Sequence, residues 1–316
     1  MKYLLPTVIS LYIFSLLGEL GSYWWVFDLF SHWRTLYLVA GLILVALAVI
    51  FKNRKWAFTA ATVLVCHIIV VAASVAIFPQ HAAGTQQHTQ VTAQAQEASL
   101  RVAFANTYWR NPDMAQVAQA VYEMNPDIVF MEELQPEQFV EIQALLPEYT
   151  YALHAPVDYA FDMGVFSKLP VQSEKIHFFM PEVPLIEIVI QKNGKNVHLL
   201  GVHPHSPVSA QFSKDRNSYL QDLFHYVNNS QDTMIMGGDF NISQFSPILR
   251  DLVKDSRLVD TQKDFPLTGT WPTQLPTWAA IPIDQVFVTP DVQVENRYRG
   301  TFTGSDHWPI VVEVRL

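Results

Sequence analysis

The sequence predicts an α/β protein in which two packed sheets carry helices on their outer faces, preceded by three membrane-spanning helices. Two observations indicate this class. From residue 100 to the end, strand-like and helix-like segments alternate over 217 residues, which is ample for one large domain. Half of all 316 residues are hydrophobic, and three long apolar stretches lie before residue 79.

The three apolar stretches are Leu4–Leu17, Thr35–Phe51 and Trp56–Phe78. The second and third contain 17 and 23 residues and no charge. A helix of about 20 apolar residues crosses a hydrocarbon core of ~30 Å. A cleaved signal peptide would account for the first stretch alone. We therefore expect a membrane region over residues 1–78 with about three transmembrane helices.

Basic residues predict how this membrane region is oriented. Lys52, Arg54 and Lys55 lie between the second and third stretches, and Lys2 precedes the first. Short loops rich in Lys and Arg remain on the cytoplasmic side of a membrane. The third helix is therefore expected to cross outward. The chain after Phe78 would then lie on the extracytoplasmic, or periplasmic, side of the cytoplasmic membrane.

The rest of the chain divides into a linker and a domain. Residues 79–99 are rich in Gln, Ala and Thr without hydrophobic periodicity, so we expect a flexible tether. Residues 100–316 hold 15 Lys and Arg against 26 Asp and Glu, a net charge of −11. Tight binding of duplex nucleic acid usually needs a basic footprint, which this balance does not provide overall. The only cysteine, Cys66, lies in the third apolar stretch, so no disulfide is expected.

Hydrophobic patterning and turn residues predict the elements of the domain. Asn111 before Pro112 indicates a helix start, and Asn193-Gly194 indicates a hairpin turn. Helices are predicted from residue 112 to about 124, at Pro136–Leu146 and Ala210–Asn228, and after Ser246-Pro247. Strands are predicted at Leu100–Asn106, Asp127–Met131, Tyr149–Leu153, Met163–Ser167, Val171–Phe179, Leu185–Gln191, Asn196–His203, Thr233–Gly238, Asp284–Val288, Val292–Tyr298 and Pro309–Val314.

Two short acidic motifs stand next to predicted strands. Gly237-Gly238-Asp239-Phe240-Asn241 follows an apolar run, and Ser305-Asp306-His307-Trp308-Pro309 precedes one. Asp239 and Asn241 are two residues apart, so in an extended chain both side chains face the same way. Their oxygens suit a hard cation, and His307 can move a proton. An Asx-type turn uses the same residue types as the first motif. The favoured interpretation is metal-assisted attack of water on a phosphate ester.

Six segments in order resemble the endonuclease/exonuclease/phosphatase superfamily over nearly all of residues 100–316. They are Asn106 at a strand end, Met131-Glu132-Glu133-Leu134, Met163-Gly164-Val165-Phe166-Ser167-Lys168, Gly238-Asp239-Phe240-Asn241, Ile283-Asp284-Gln285-Val286-Phe287-Val288 and the motif around His307. The fold that the resemblance implies is a four-layer α/β sandwich. Its site lies where strand ends of both sheets converge.

The resemblance implies a metal site. Glu133 would be the principal ligand, with help from Asp306 or Asn106, and Mg²⁺ would be the cofactor, with Mn²⁺ or Ca²⁺ as substitutes. Side chains alternate along a strand, so Glu132 would point the opposite way. Glu132 stands where the family usually has Gln, which leaves the choice between Glu132 and Glu133 open. One metal or two also remains open.

The resemblance also implies roles for groups that handle the phosphate and the proton. Asp284 would orient His307, and either His307 or Asp239 would take a proton from water. His203, favoured over His205, would contact the phosphate.

Three further residues are expected around the phosphate. Asn106 and Asn241 would bind it, and Asn241 would also help Asp239 to position the attacking water. Trp271 would form a wall beside the substrate.

The function implied is hydrolysis of a phosphodiester or phosphomonoester by a membrane-tethered, metal-dependent enzyme. The substrate could be a nucleic acid or a phospholipid head group, including one of the sphingomyelin type, and the sequence leaves this choice open. One alternative is a binding or scaffold protein that keeps the fold without catalysis, which would predict missing ligands. Another is a transporter subunit, for which Glu19 is the only intramembrane charge. The helices are expected to act as a tether outside the chemistry.

Overall fold

The computed structural model describes residues 4–52, 58–62, 64–66, 68–69, 99–157 and 159–316. Most of the third predicted membrane span and all of the predicted linker except Ser99 lie outside the described residues. Lys2, Arg54 and Lys55, on which the predicted orientation depends, also lie outside them.

Two six-stranded mixed sheets form the centre of the domain. The first has the strand order β11-β12-β1-β2-β4-β3, and the second has the order β5-β6-β7-β8-β10-β9. The strands are β1 (Ser99–Asn106), β2 (Ile128–Glu132), β3 (Tyr151–Ala155), β4 (Met163–Ser167), β5 (Val171–Met180), β6 (Val183–Lys192), β7 (Lys195–Val202), β8 (Thr233–Asp239), β9 (Val259–Asp260), β10 (Asp284–Val288), β11 (Gln293–Arg299) and β12 (Ile310–Arg315). The predicted strands are confirmed to within a few residues.

Helices cover the outer face of each sheet. Those of the domain are α4 (Met114–Met124), α5 (Pro136–Leu145), α6 (Ala210–Asn228) and α7 (Pro247–Lys254). One apolar cluster fills the space between the sheets, a second packs α4 and α5 on the first sheet, and a third packs α6 and α7 on the second. Burial of these three interfaces supplies most of the driving force for this arrangement.

One helix start differs from the sequence prediction. The N-cap of α4 is Asp113, whose carboxylate accepts a hydrogen bond from Gln116 N at 2.9 Å. Asn111 was expected in that position, and it donates instead to the carbonyl oxygens of Thr107 and Thr303. Both residue types cap helices equally well, so the pattern alone could not choose between them.

Three N-terminal helices precede the domain: α1 (Leu4–Glu19), α2 (Trp25–Ser31) and α3 (Arg34–Ile50). Among the described residues, no single helix has both the length and the apolar content to cross a membrane. The pair α2 and α3, bent by 59°, meets both criteria only when taken together. The three predicted transmembrane helices are therefore not confirmed.

The short helix α2 was not predicted, and it packs against the domain. Its Asp28 pairs with Arg216 of α6 at 2.8 Å, and both side chains are fully buried. At the end of α1, Glu19 pairs with Arg250 of α7 at 2.6 Å. The sequence predicted a tether, whereas these contacts join the described N-terminal helices to the folded domain.

Candidate active site

Strand ends of both sheets deliver the predicted site residues to one edge of the sandwich. In the first sheet, Asn106 ends β1 and Glu133 follows β2, and these two strands are parallel neighbours. In the second sheet, Asp239 ends β8 and lies directly opposite Asp284, the first residue of the antiparallel β10. His203 follows β7, which runs parallel to β8. Because neighbouring parallel strands end at the same edge, residues far apart in sequence meet here.

A glycine allows the two sheets to approach closely behind the site. Gly238 has φ +138°, in the region that favours glycine. A Cβ at this position would lie 2.1 Å from the Val202 carbonyl oxygen and 2.8 Å from Glu132 Oε1. The glycine that precedes Asp239 is therefore needed for both its conformation and its small size.

Asp239 is the centre of the site. Its Oδ2 lies 3.3 Å from Asn106 Nδ2, 3.7 Å from His203 Nε2 and 3.6 Å from His307 Nε2. Its Oδ1 accepts a hydrogen bond from the backbone N of Asn241 at 2.8 Å. Burial is the main cause that raises the pKa of Asp239, and the charge of Asp284 adds to it. A carboxylate with a raised pKa can accept a proton near neutral pH.

His307 and Asp284 form a buried pair. His307 Nδ1 lies 3.0 Å from Asp284 Oδ2, which fixes the ring so that Nε2 faces Asp239. Burial alone would lower the pKa of His307, but the charges of Asp284 and Asp239 outweigh it and raise the pKa. The geometry confirms the pairing that the sequence suggested and favours a protonated imidazole.

His203 has the opposite electrostatic character. Burial, together with repulsion from His307 and His205, lowers the pKa of His203 to about 3. Its Nε2 lies 3.9 Å from Glu133 Oε1 and 3.7 Å from Asp239 Oδ2. A neutral imidazole beside these carboxylates can donate a hydrogen bond to a phosphate oxygen. His205 is partly buried and contacts Phe161 in a tilted arrangement, with ring centroids 4.7 Å apart and an interplanar angle of 52°.

Glu133 faces the cavity, as predicted. Its Oε1 accepts a hydrogen bond from Asn106 Nδ2 at 2.9 Å, and its Oε2 accepts one from the backbone N of Trp109 at 3.0 Å. Asn106 directs its carbonyl oxygen to the backbone N of Tyr108. Asn106 is therefore placed as a donor, which suits a phosphate oxygen. Its second predicted role, as a metal ligand, stays a prediction.

The oxygen atoms around Glu133 fit a hard divalent cation. Asp306 lines the same cavity, and its Oδ2 accepts a hydrogen bond from Trp271 Nε1 at 3.0 Å. Burial, and more weakly the charge of Asp306, raise the pKa of Glu133, although hydrogen bonds from Asn106 and Trp109 oppose the rise. A divalent cation would relieve this concentration of negative charge, and carboxylate oxygens are the ligands that Mg²⁺ prefers.

A second group could also hold a cation. One ligand atom from each of Asp239, Asp284 and His307 lies within 4.8 Å of the other two, and all three residues are buried. However, the Nδ1 of His307 is already engaged by Asp284. Glu133 and Asp306 are less buried, so we favour them for the first metal.

Glu132 points away from the cavity. It is fully buried and accepts no side-chain hydrogen bond from another described residue. Burial, reinforced by the charges of Asp284 and Asp239, raises the pKa of Glu132 well above its ordinary value. β2 ends at Glu132, and Glu133 follows it with a left-handed φ of +58°, so the chain turns between the two glutamates and Glu133 is the one that faces the site.

The site opens into a cavity of about 640 Å³ with an apolar side. Trp271 lines it, as predicted, and His307 and Asn241 lie at its polar end. Sequence reasoning missed the part of the lining that comes from α2 and the turn after it, together with apolar residues of the domain. These lining residues are Trp25, Leu29, His32, Trp33, Phe161, Val208, Ile281 and Ile283.

Comparison with known proteins agrees with this geometry. The Endonuclease/Exonuclease/phosphatase family matches residues 103–307, which include every residue of the site described above outside the N-terminal helices. The chain belongs to this family. Members of the family are hydrolases that act on phosphate esters, and the chain is therefore assigned to that class.

Individual relatives of this family are distant. A phospholipase C of Staphylococcus aureus is 25% identical over 114 residues, which cover 31% of this chain and 34% of the relative. The match thus spans about a third of that relative's length.

Solved structures of family members share the fold. Humanized D. rerio TDP2 has a TM-score of 0.58 at 16% identity, covering 69% of this chain and 100% of its own. An endonuclease/exonuclease/phosphatase of Beutenbergia cavernae has a TM-score of 0.57 at 18% identity, covering 69% and 72%. A mannosyl-6-phosphatase of Bacteroides thetaiotaomicron has a TM-score of 0.54 at 18% identity, covering 69% and 100%. These likenesses show the fold alone.

Proposed function

We propose that the chain is a membrane-tethered, divalent-metal-dependent hydrolase that cleaves a phosphodiester carried by an amphiphilic substrate. The observation that carries the proposal is the convergence of Glu133, Asp239 and the Asp284–His307 pair at one end of an otherwise apolar cavity. Acidic oxygens and a paired histidine suit water attack on phosphorus, and an apolar wall suits a hydrocarbon group.

Each side chain of the site has a separate role in the hydrolysis of the phosphodiester. Asp239 accepts a proton from the attacking water, which Asn241 helps to position. His307, held protonated by Asp284, stabilises the negative charge that develops on the phosphoryl oxygens. His203 and Asn106 donate hydrogen bonds to the same oxygens. Attack proceeds in line, with the alcohol of the ester as the leaving group.

Glu133 and Asp306 would hold the metal ion, Mg²⁺ by preference or Mn²⁺ or Ca²⁺ in its place. A bound divalent cation would polarise a phosphate oxygen and neutralise leaving-group charge. In the protein itself, hydrogen bonds from Asn106 and from the Trp109 backbone N keep the Glu133 carboxylate in position for this role.

Exposed apolar side chains support attachment of the N-terminal helices to a membrane. Glu19 at the end of α1 pairs with Arg34 at the start of α3, close to the domain, so the opposite ends of both helices point away from it. Lys52 follows α3 on that distant side, which the positive-inside tendency would assign to the cytoplasm. Large hydrophobic residues exposed on the described helical segments include Ile9, Ile13, Phe14, Leu16, Leu42, Ile43, Val49, Ile50, Phe58, Val65, Ile68 and Ile69.

The catalytic domain is proposed to lie outside the cytoplasmic membrane. A reporter enzyme that is active only outside the cytoplasm should be active when fused after Leu316. Activity of a cytoplasm-only reporter at the same position would contradict this orientation.

An amphiphilic phosphodiester, such as a phospholipid, is favoured over nucleic acid as the substrate. The wall formed by Trp25, Leu29 and Trp33 offers apolar contact, and the domain's net charge of −11 repels polyphosphate. The S. aureus relative named phospholipase C points the same way. D. rerio TDP2, solved with a single-strand DNA product, keeps single-stranded DNA as the second candidate.

A direct comparison of substrates tests this choice. The full chain, in detergent with Mg²⁺, should hydrolyse a phospholipid in mixed micelles at least about tenfold more efficiently than single-stranded DNA. Leu29→Ala should raise the KM for the phospholipid several-fold and leave that for a small soluble phosphodiester nearly unchanged. Preferred cleavage of single-stranded DNA, with no effect of Leu29→Ala, would reject the amphiphile and favour a nuclease.

A further inference from the structure

The short helix α2 is attached to the loop that carries a catalytic residue. Asp28, near the middle of α2, directs Oδ2 to Arg216 Nη2 at 2.8 Å and accepts a hydrogen bond from Ser246 Oγ on its Oδ1 at 2.5 Å. Ser246 closes the loop that begins after Asp239. Asp28 therefore contacts that loop both directly and through Arg216.

Arg216 continues this connection to Asn241. Its Nη1 donates a hydrogen bond to the backbone carbonyl oxygen of Asn241 at 2.9 Å. Asn241 has φ +52°, a left-handed conformation that is uncommon for non-glycine residues but that asparagine adopts more readily than most. Its backbone N donates to Asp239 and its side-chain amide donates to the Pro204 carbonyl oxygen. The guanidinium thus supplies the contact on the carbonyl side of Asn241.

A second contact joins the same two segments. His32, just after α2, places Nδ1 2.8 Å from Ser243 Oγ in the middle of the loop. Both residues are buried. The N-terminal segment therefore contacts the loop from Phe240 to Ser246 directly at Ser243 and Ser246, and indirectly at Asn241 through Arg216 of α6. Trp25 and Leu29 on α2 line the cavity in front of the loop.

We propose, on the basis of the phosphoesterase function above, that α2 is part of the active site and that Asp28 and Arg216 are positioning residues for Asn241. Asp28 orients the Arg216 guanidinium, and the guanidinium fixes the backbone of Asn241 in its left-handed conformation. This keeps the Asn241 amide and the Asp239 carboxylate aligned for the attacking water. The N-terminal helices then complete the site in addition to any role as an anchor.

The buried ion pair between Asp28 and Arg216 is better explained by the geometry that it imposes than by a contribution to the stability of the fold. Replacing a buried pair by apolar residues is often neutral or stabilising, so such a pair is weak evidence for a role in folding. A guanidinium, however, is a rigid planar fork that can hold an anion and a carbonyl oxygen at a fixed separation. Arg216 uses it in this way, with Asp28 on one amino group and the Asn241 carbonyl on the other.

The Arg216→Lys variant tests whether catalysis needs the geometry of the Arg216 guanidinium in addition to its positive charge. Lysine keeps the positive charge opposite Asp28, but a single ammonium does not reproduce the planar fork that contacts Asp28 and the Asn241 carbonyl oxygen at a fixed separation. We expect kcat to fall by about tenfold or more, with the KM of a soluble phosphodiester changing by less than about threefold. Asp28→Asn leaves the guanidinium in place and weakens only its anchor on α2, so it should lower kcat in the same direction.

Arg250→Lys is the matched control. Arg250 also joins the N-terminal helices to the domain, through Glu19 of α1, but it is not among the partners of Asn241 in the described chain. This variant should keep a kcat close to that of the wild type. Its melting temperature and that of Arg216→Lys show whether both proteins are folded.

The kcat values of these variants distinguish the positioning role of Asp28 and Arg216 from the proposed phosphoesterase function. Hydrolysis by the wild type and by Arg250→Lys supports the phosphoesterase function whatever Arg216→Lys does. Wild-type kcat in folded Arg216→Lys and Asp28→Asn, or an equal loss in Arg250→Lys, would overturn the positioning role. Absence of hydrolysis by the wild type would overturn the proposed function and this role with it.

Discussion

Replacing His307 by alanine should lower turnover by on the order of 10²-fold or more, and Asp284→Asn should cost a similar factor. The reason is that Asp284 both orients the His307 ring and raises its pKa, so each residue depends on the other. Groups that act as a unit lose rate non-additively. The double variant should therefore be little worse than His307→Ala alone, when kcat is measured on a soluble phosphodiester.

A neighbouring histidine provides the control for this pair. His205 lies near the site, but its ring packs at a tilt against Phe161 and Phe212, and we assign it no part in the chemistry. His205→Ala should keep kcat within a few-fold of wild type. Strictly multiplicative losses in the Asp284→Asn, His307→Ala double variant would mean that the two residues act independently, and the pair would have to be abandoned.

Glu133→Gln should abolish metal-dependent hydrolysis while leaving the fold intact. The change removes the carboxylate charge that faces the cavity but keeps the size of the side chain and one oxygen atom, which can accept one of the two hydrogen bonds from Asn106 and Trp109. Loss of a ligand charge weakens binding of a hard cation, since carboxylates supply most of its affinity. Hydrolysis should be measured across a titration of Mg²⁺, with circular dichroism to confirm folding.

Glu132→Gln is the matched control in the adjacent position. Burial and the charges of Asp284 and Asp239 raise the pKa of Glu132 well above its ordinary value, and neither carboxyl oxygen has a hydrogen-bond partner among the described residues. Glutamine has nearly the shape of glutamic acid and carries no charge, so it suits this buried position. This variant should retain activity and metal dependence. If Glu132→Gln were inactive and Glu133→Gln active, the roles of the two glutamates would be exchanged.

The strands and helices of the domain could be predicted from the sequence because their local hydrophobic patterns agree with the positions that they occupy in the folded domain. The two acidic motifs, one after β8 and one before β12, are short polar segments next to apolar runs. The local sequence is therefore enough to place them at strand ends. Strand alternation predicted that Glu132 and Glu133 point in opposite directions but could not say which one faces the site, and in the structure Glu133 lines the cavity while Glu132 is buried. The family resemblance added the sandwich and the meeting of the strand ends, which no local pattern contains.

The docking of α2 could not be predicted, because its partners are nearly two hundred residues away. Asp28 pairs with Arg216 across a sequence separation of 188 residues, and no spacing in a single sequence reveals such a contact. The sequence did contain one signal that a buried partner of Arg216 exists. Arg216 lies on the apolar stripe of α6 with Leu220, Leu223 and Val227, all buried, and a charge at such a position requires a buried partner.

Hydrolysis in water labelled with a heavy isotope of oxygen tests most directly the central claim, which is metal-dependent attack of water at phosphorus. The full chain with Mg²⁺ and a phosphodiester should place one labelled oxygen atom on the phosphoryl product and none on the alcohol, because Asp239 and His307 are arranged around water attack at phosphorus. A chelator should suppress the labelled product. Label found in the alcohol, or labelled phosphoryl product formed equally well in the presence of the chelator, would contradict metal-dependent hydrolysis at this site.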